Sequence, residues 1–251
     1  FADKRWVVRK DTVTSPGSGE VITTYAAFLP SYQKQWSKAN KYLKDAVKYY
    51  GQWVGAYPYK TIKAVQGDMK AGGGMEYPTV TIIDKDAGDQ NTIIHEAGHN
   101  WFYGILGSNE RDHAWLDEGL NTFYETKSSI ELAKQDTARK KLSSTAQRTS
   151  ISLSMSSIIY QLAATANDQG IDQTSASFKE INYGMDVYYK TAAMLVWLEE
   201  YMGDDKFEAG MREYYETWKF KHPYPEDFRA IMQQHTEKPI DWFFTSALRT
   251  G

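Results

Sequence analysis

Two histidines and a glutamate within five consecutive residues form the strongest chemical signal in the sequence. His95-Glu96-Ala97-Gly98-His99 is an HExxH sequence. Positions i and i+4 share one face of an α-helix, so both imidazoles can point at one metal ion. Glu96 lies one residue further round and can act as a general base on a water bound to that ion. A pair of helical histidines beside a surface glutamate is the alternative interpretation.

A carboxylate that can complete such a site follows after eighteen intervening residues. Glu118 lies in the sequence WLDEGL, which is predicted to begin a second helix. The polar turn at residues 107–112 is short enough for the two helices to lie antiparallel and bring Glu118 beside His95 and His99. The chain has no cysteine, so its metal ligands must be histidines and carboxylates. This set predicts one zinc ion per chain and leaves other divalent metals open.

Hydrophobic spacing predicts the elements that hold these residues. Ile94, Ala97, Trp101 and Ile105 fall on one face and predict a helix from about residue 91 to 105. Other helices are predicted at residues 31–50, 115–133 and 187–202, and short ones after Asp204, Pro225 and Pro239. Strands are predicted at residues 6–8, 21–25, 61–66 and 75–83. The serine-rich residues 143–157 fit neither pattern clearly.

Composition excludes several classes of protein. The chain has 251 residues, 41% of them apolar, and a net charge of -3, which is typical of a soluble globular protein. The sequence has no block of basic residues, so no nucleic-acid partner is expected. The longest apolar run, residues 192–198, is far shorter than the roughly 18 residues of a membrane span. The chain begins with Phe1 and has no apolar signal-peptide core, so we expect a soluble piece of a longer protein whose compartment is unknown.

Four motifs resemble the gluzincin metallopeptidases of the M1 aminopeptidase family. HEAGHNW and WLDEGL carry its HExxH and distant Glu, GGMEY at residues 73–77 stands where the family has GxMEN, and VYYKT at residues 187–191 resembles YxKG. Tyr77 replaces the usual Asn, and Thr191 replaces the usual Gly. The resemblance covers roughly residues 50–200.

This resemblance implies an α+β fold and a longer parent chain. A thermolysin-like catalytic domain with a mixed β-sheet lobe packed on a mainly helical lobe is expected at residues 28–251. Residues 1–27 are expected to be a strand-rich segment that could be the remnant of a removed β-domain. The other domains of the parent chain are its implied partners.

The resemblance also implies substrate-binding and catalytic residues. Glu76 is expected to bind the N-terminal ammonium of a peptide, with Gly73, Gly74 and Met75 beside it on an extended edge segment. Tyr188 is expected to donate a hydrogen bond to the oxyanion of the transition state. A solvated strand glutamate and a buried helix aromatic are the respective alternatives.

The implied activity is that of a zinc-dependent metallopeptidase that hydrolyses peptide bonds. An aminopeptidase that releases N-terminal residues is the first hypothesis. A thermolysin-like endopeptidase is favoured instead if Glu76 does not bind an amine. A non-catalytic scaffold domain of M1 type is the third hypothesis, and it would require none of the metal ligands, Glu96 or Tyr188. Tyr183 is the next oxyanion donor to consider after Tyr188.

Overall fold

The computed structural model describes residues 3–70, 72–135 and 168–249, together with positions 157 and 164. The chain divides into an N-terminal unit, Phe1–Gly104, and a C-terminal unit, Ile105–Gly251. The described strands lie in the first, and most of the described helices lie in the second, which confirms the α+β class. Apart from Ser157, the serine-rich residues 143–157 lie outside the described part of the chain.

One mixed sheet organises the described part of the N-terminal unit. Its strands are β1 (Val7–Thr14), β2 (Val21–Phe28), β3 (Thr61–Gly67), β4 (Gly74–Met75) and β5 (Val80–Asp84). The order is β1-β2-β3-β5-β4, with β2, β3 and β5 parallel and the two edge strands antiparallel to their neighbours. The strands predicted at residues 6–8 and 21–25 are confirmed as the antiparallel pair β1 and β2, and β4 occupies an edge of the sheet as expected.

The first two strands belong to this same sheet. Thr23 to Ala27 of β2 pair in register with Thr61 to Val65 of β3. The boundary between the two units falls after Gly104, well beyond residue 27. The origin of residues 1–27 as the remnant of another domain stays a prediction.

Two helices replace the single helix predicted at residues 31–50. These are α1 (Gln33–Trp36) and α2 (Ala39–Trp53), which follow a short turn of 3-10 helix. The side chain of Trp36 is fully buried, and its Nε1 donates to the carbonyl of Lys85 at 3.2 Å. Because this indole is anchored beside the end of β5, the chain bends after Trp36 before α2 begins.

The strand predicted at residues 75–83 is wrong in its middle. β4 ends at Met75, and a turn over Tyr77, Pro78, Thr79 and Val80 leads into β5. A 3.0 Å hydrogen bond from the N–H of Val80 to the carbonyl of Tyr77 closes this turn. Proline cannot donate a ladder hydrogen bond, and Thr79 has a φ of 65°, outside the extended region.

The last helix of the N-terminal unit is α3 (Gln90–Gly98), which is shorter than the helix predicted to residue 105. Tyr103 has a φ of 90°, which a right-handed helix does not allow. Trp101 is buried and its Nε1 donates to the carbonyl of Gly55 at 2.7 Å. The aromatic residues after His99 therefore fill the core from a bent segment, although their spacing imitates a helix.

Helices dominate the described part of the C-terminal unit. The longer α-helices are α4 (Glu118–Gln135), α5 (Thr191–Met202), α6 (Asp204–Trp218) and α7 (Pro225–Gln234). A π-helix at Tyr183–Lys190 leads into α5, and another lies at Phe243–Ala247. The helices predicted at these places are confirmed with shifted bounds, since α4 begins three residues later than expected. No helix of the described ranges has the length and apolar character needed to cross a membrane.

A close approach between α4 and the start of α5 requires glycine at position 119. A Cβ on Gly119 would lie 2.2 Å from Cγ2 of Thr191 and 2.9 Å from the carbonyl oxygen of Val187. Thr191 is itself buried, and its hydroxyl donates to the carbonyl of Asp186 at 3.0 Å. Thr191, where the family usually has Gly, therefore fills the space that Gly119 leaves.

Gly119→Ala is expected to destabilise the fold, because the added methyl overlaps Thr191. Overpacking of this kind costs about 1–3 kcal/mol, which corresponds to a Tm lower by roughly 2–12 °C for a chain of this size. Thr191→Ser removes Cγ2 and keeps the hydroxyl, so it should restore part of the loss in the double variant. Gly184→Ala is the matched control, since a Cβ there meets nothing within 4 Å. Equal melting temperatures for the two alanine variants would contradict this packing.

Candidate active site

Two histidine nitrogens meet at the end of α3. Asp89 caps the helix by accepting the N–H groups of Asn91 and Thr92 at 2.9 and 3.1 Å, and His99 is the C-cap residue. The Nε2 atoms of His95 and His99 lie 3.1 Å apart. The single turn of helix therefore brings both imidazoles to one point, as predicted.

This separation fits a shared metal ion. Two imidazole nitrogens at 2.0–2.1 Å from one tetrahedral zinc lie about 3.3 Å from each other. The ring planes cross at 83°, with His99 buried and His95 half-buried. Both nitrogens thus have a spacing and a degree of burial that suit metal ligands.

Carboxylates gather at the same point within the N-terminal unit. Glu96 is 6% exposed, and one ligand atom each from Glu76, Glu96 and His99 lie within 4.8 Å of one another. A Cβ on Gly74 would meet Cδ of Glu96 at 2.5 Å, so β4 passes directly against the Glu96 carboxyl group. Two carboxylates this close to an imidazole favour a bound cation.

The backbone of residues 73–75 forms the sheet edge beside these carboxylates. Gly74 pairs with Ile83 and Met75 with Ile82, and the carbonyl of Gly73 accepts the N–H of Asp84 at 2.8 Å. Because β4 is an edge strand, its outer side can pair with an extended peptide. Glu76 follows the strand directly and is half-buried, whereas Tyr77 is exposed.

The C-terminal unit brings Glu118 and Tyr188 together. Glu118 is the first residue of α4, and the hydroxyl of Tyr188 on the π-helix donates to its carboxylate. Burial, followed by the charge of Glu118 and this hydrogen bond, raises the pKa of Tyr188 far above its usual range. The hydroxyl is therefore a protonated donor. Tyr183 contacts the Tyr188 ring edge-to-face at 6.1 Å between centroids.

The other three histidines do not form a ligand set with one another. Each has a hydrogen-bond partner of its own within the C-terminal unit. The pairs are His113 Nδ1 with Asp172 at 2.7 Å, His222 Nδ1 with the carbonyl of Gly107 at 2.9 Å, and His235 Nε2 with Glu213 at 2.7 Å.

Sequence reasoning missed Asn100, which follows His99 directly. Its side chain is fully buried, Oδ1 accepts the N–H of Thr79 at 2.8 Å, and Nδ2 donates to the carbonyl of Ala97 at 2.9 Å. The available signal was an amide side chain placed between His99 and a run of aromatic residues. A buried amide must find partners, so such a residue joins two parts of the chain.

A buried charged cluster beneath the π-helix was also missed. Lys190 Nζ contacts Asp168 at 2.7 Å with both side chains less than 10% exposed, and Asp186 accepts the N–H of Gln169 at 3.3 Å. Burial, then a hydrogen bond with Asp168, raises the pKa of Asp186 from 3.8 to about 7. The cluster connects both ends of the turn that carries Tyr188 to residues 168–169.

The sequence matches a known protein family and several named proteins. The sequence profile described as the Peptidase family M1 domain matches residues 36–246. The chain is 26% identical over 219 residues to a probable aminopeptidase 2 of Sulfurisphaera tokodaii, covering 79% of this chain and 27% of that protein. It is 26% identical over 150 residues to the glutamyl aminopeptidase of Sus scrofa, covering 59% of this chain and 15% of that one. The chain thus spans about a quarter or less of the length of these relatives.

Solved structures show the same fold. An M1 zinc metallopeptidase from Deinococcus radiodurans superposes with a TM-score of 0.73 at 13% identity, covering 97% of this chain and 52% of that one. Aminopeptidase A of Legionella pneumophila, solved with aspartic acid, gives a TM-score of 0.74 at 16% identity, covering 98% and 28% of the two chains. These likenesses confirm the predicted fold class. The metal and substrate roles of the individual residues stay predictions.

The raised pKa of Asp186 predicts a pH-dependent stability. Between about pH 4 and about pH 7 the folded chain keeps a proton that the unfolded chain releases, so the free energy of unfolding falls as pH rises through that range. Asp186→Asn imitates the protonated side chain and should remove this contribution, which urea unfolding at about pH 5 and about pH 8 would measure. Glu237→Gln, at an exposed position, is the control. The same pH slope in wild type and Asp186→Asn would refute the assignment.

Proposed function

The chain belongs to peptidase family M1, and on that premise we propose that it is the catalytic part of a zinc-dependent aminopeptidase that releases N-terminal residues from peptides. One observation carries the proposal. The Nε2 atoms of His95 and His99 lie 3.1 Å apart. The carboxylates of Glu96 and Glu76 both approach the imidazole of His99. Relatives named aminopeptidases support it, although the chain matches only part of each. The remaining domains of the parent chain are its proposed partners.

His95, His99 and Glu118 are the proposed ligands of one zinc ion per chain. The imidazole pair has the spacing such an ion needs, and the sequence separation between His99 and Glu118 is the one expected for this family. Two nitrogens and a carboxylate oxygen leave a coordination position open for water. When bound, zinc lowers the pKa of a water molecule towards 7 and polarises a carbonyl group.

Glu96 is the proposed general base. Its carboxyl group is on the same helical turn as the imidazoles and lies against the backbone of β4. From there it can take a proton from the attacking water and later give it to the leaving amine. Burial of the side chain restricts its rotamers, which favours a fixed direction for this transfer.

Tyr188 is the proposed donor to the oxyanion. Its hydroxyl carries a proton and already donates to Glu118, so it can turn to a carbonyl oxygen that gains charge as the peptide bond is attacked. The ring of Tyr183 lies edge-on against it. The cluster of Lys190, Asp168 and Asp186 supports the helical turn that holds Tyr188.

Glu76 is the proposed reader of the free α-amine, and it separates this function from that of an endopeptidase. An extended substrate that pairs with the edge of β4 would place its N-terminus at the end of the strand, where Glu76 immediately precedes the turn. A carboxylate there can take a charge-assisted hydrogen bond from an ammonium group. Gly73, Gly74 and Met75 supply the backbone for the pairing.

Glu96→Gln is expected to separate zinc binding from catalysis. Glu96 is not a proposed ligand, so zinc content should stay at the wild-type level, whereas kcat should fall about a hundredfold or more through loss of the base. Metal analysis and peptide hydrolysis measure the two quantities. Glu200→Gln, at an exposed position on α5, should change neither. Near-normal turnover in Glu96→Gln would refute the mechanism.

Glu76→Ala is expected to impair the cleavage of peptides with a free N-terminus far more than that of N-acetylated ones. Losing a charge-assisted hydrogen bond of roughly 1.5–3 kcal/mol lowers kcat/KM by about ten- to a hundredfold. The test compares each substrate pair in wild type and variant. Equal losses on both substrates would favour the endopeptidase alternative.

A further inference from the structure

The buried amide of Asn100 connects the turn after Glu76 to the helix that carries His95 and Glu96. Oδ1 of Asn100 accepts the N–H of Thr79 at 2.8 Å, and Nδ2 donates to the carbonyl of Ala97 in α3 at 2.9 Å. The hydroxyl of Tyr57 reaches the same Oδ1 at 3.4 Å. The fully buried side chain of Asn100 therefore links the turn to the helix by hydrogen bonds.

The residue that Asn100 holds is in an unfavourable backbone conformation. Proline at the second position and a positive φ at the third are the pattern of a type II turn, whose third residue is usually glycine or asparagine. Here that residue is Thr79, which is β-branched and has a φ of 65°. Such a conformation persists only where the surroundings fix it. The bond from Thr79 N–H to Asn100 supplies that restraint.

The turn also sets the position of Glu76. Glu76 precedes Tyr77, whose carbonyl closes the turn at 3.0 Å, and its carboxylate lies within 4.8 Å of the ligand atoms of Glu96 and His99. β4 gives little independent support, because it has only two residues. If the turn relaxed, Glu76 would move relative to both groups.

We propose that Asn100 is a positioning residue for amine recognition. By holding the N–H of Thr79 against α3, it fixes the Glu76 carboxylate where the N-terminal ammonium of a substrate is read. The inference rests on the proposed function, since it needs Glu76 to bind that ammonium. Asn100 itself touches neither the substrate nor the reacting atoms.

The test measures the preference for an amine by binding rather than by turnover. L-alanine hydroxamate and propionohydroxamate differ only in the α-amine, and the ratio of their Kd values on the zinc-loaded chain, from titration calorimetry, gives the preference. The wild type should prefer the amine by about tenfold or more. Asn100→Ala should reduce the preference about fivefold or more and change the Kd of propionohydroxamate by less than about twofold.

Two further variants distinguish positioning from general destabilisation. Adding Asn100→Ala to Glu76→Ala should leave the preference as it is in Glu76→Ala alone, because Asn100 acts through Glu76. Tyr57→Phe is the matched control. It removes the other hydrogen bond to Asn100 and one to the carbonyl of Thr61, but it keeps the N–H of Thr79 in place. It should lower stability and retain the preference.

Several results would overturn the proposal. If Asn100→Ala keeps the full preference, Asn100 is structural only and the proposed function survives. If the wild type itself shows no preference for the amine, recognition by Glu76 fails and this inference fails with it. Should Asn100→Ala not fold, amide hydrogen exchange of the wild type decides. Protection of the Thr79 amide supports the bond, and exchange at the rate of an exposed amide refutes it.

Discussion

The approach of two imidazole nitrogens to 3.1 Å on one helical turn is the constraint on which the site depends. It requires α3 to remain regular from His95 to its last turn, although the chain bends directly afterwards. The Asp89 cap fixes the beginning of the helix, and the anchored indole of Trp101 fixes the segment that follows it. The residues on either side of the pair thus hold one turn of helix in a single conformation, which is what a metal site with little freedom needs.

Close backbone approaches place the other groups. At Gly74 the absence of a side chain lets the edge strand lie against the Glu96 carboxyl group, and at Gly119 it lets α4 lie against the start of α5. The second approach keeps Glu118 near the π-helix, where Tyr188 can donate to it. Each unit therefore holds its own part of the proposed chemistry. The proposed base and the proposed amine reader lie in the first unit, and the proposed carboxylate ligand lies with its tyrosine in the second.

The sequence was informative wherever chemistry depended on spacing along one element. The HExxH pattern placed both imidazoles correctly because i and i+4 share a helix face. The edge position of residues 73–75 was implied by the resemblance to the GxMEN motif. Helix and strand ends were less predictable, because Trp101 and Ile105 imitate a helix face while the chain bends at Tyr103. Pro78 argued against a continuous strand, because proline has no N–H to donate to the sheet. Asn100 and Thr79 form a hydrogen bond across about twenty positions of the chain, as do Lys190 and Asp168. No local sequence pattern could reveal either bond.

The most direct test of the account is a crystal of the chain grown with zinc, with anomalous diffraction recorded at the zinc absorption edge. The account predicts one anomalous peak per chain, ligated by Nε2 of His95, Nε2 of His99 and the carboxylate of Glu118. A chain without a peak, or a peak held by Glu76, Glu96 and His99 in place of that set, would contradict it.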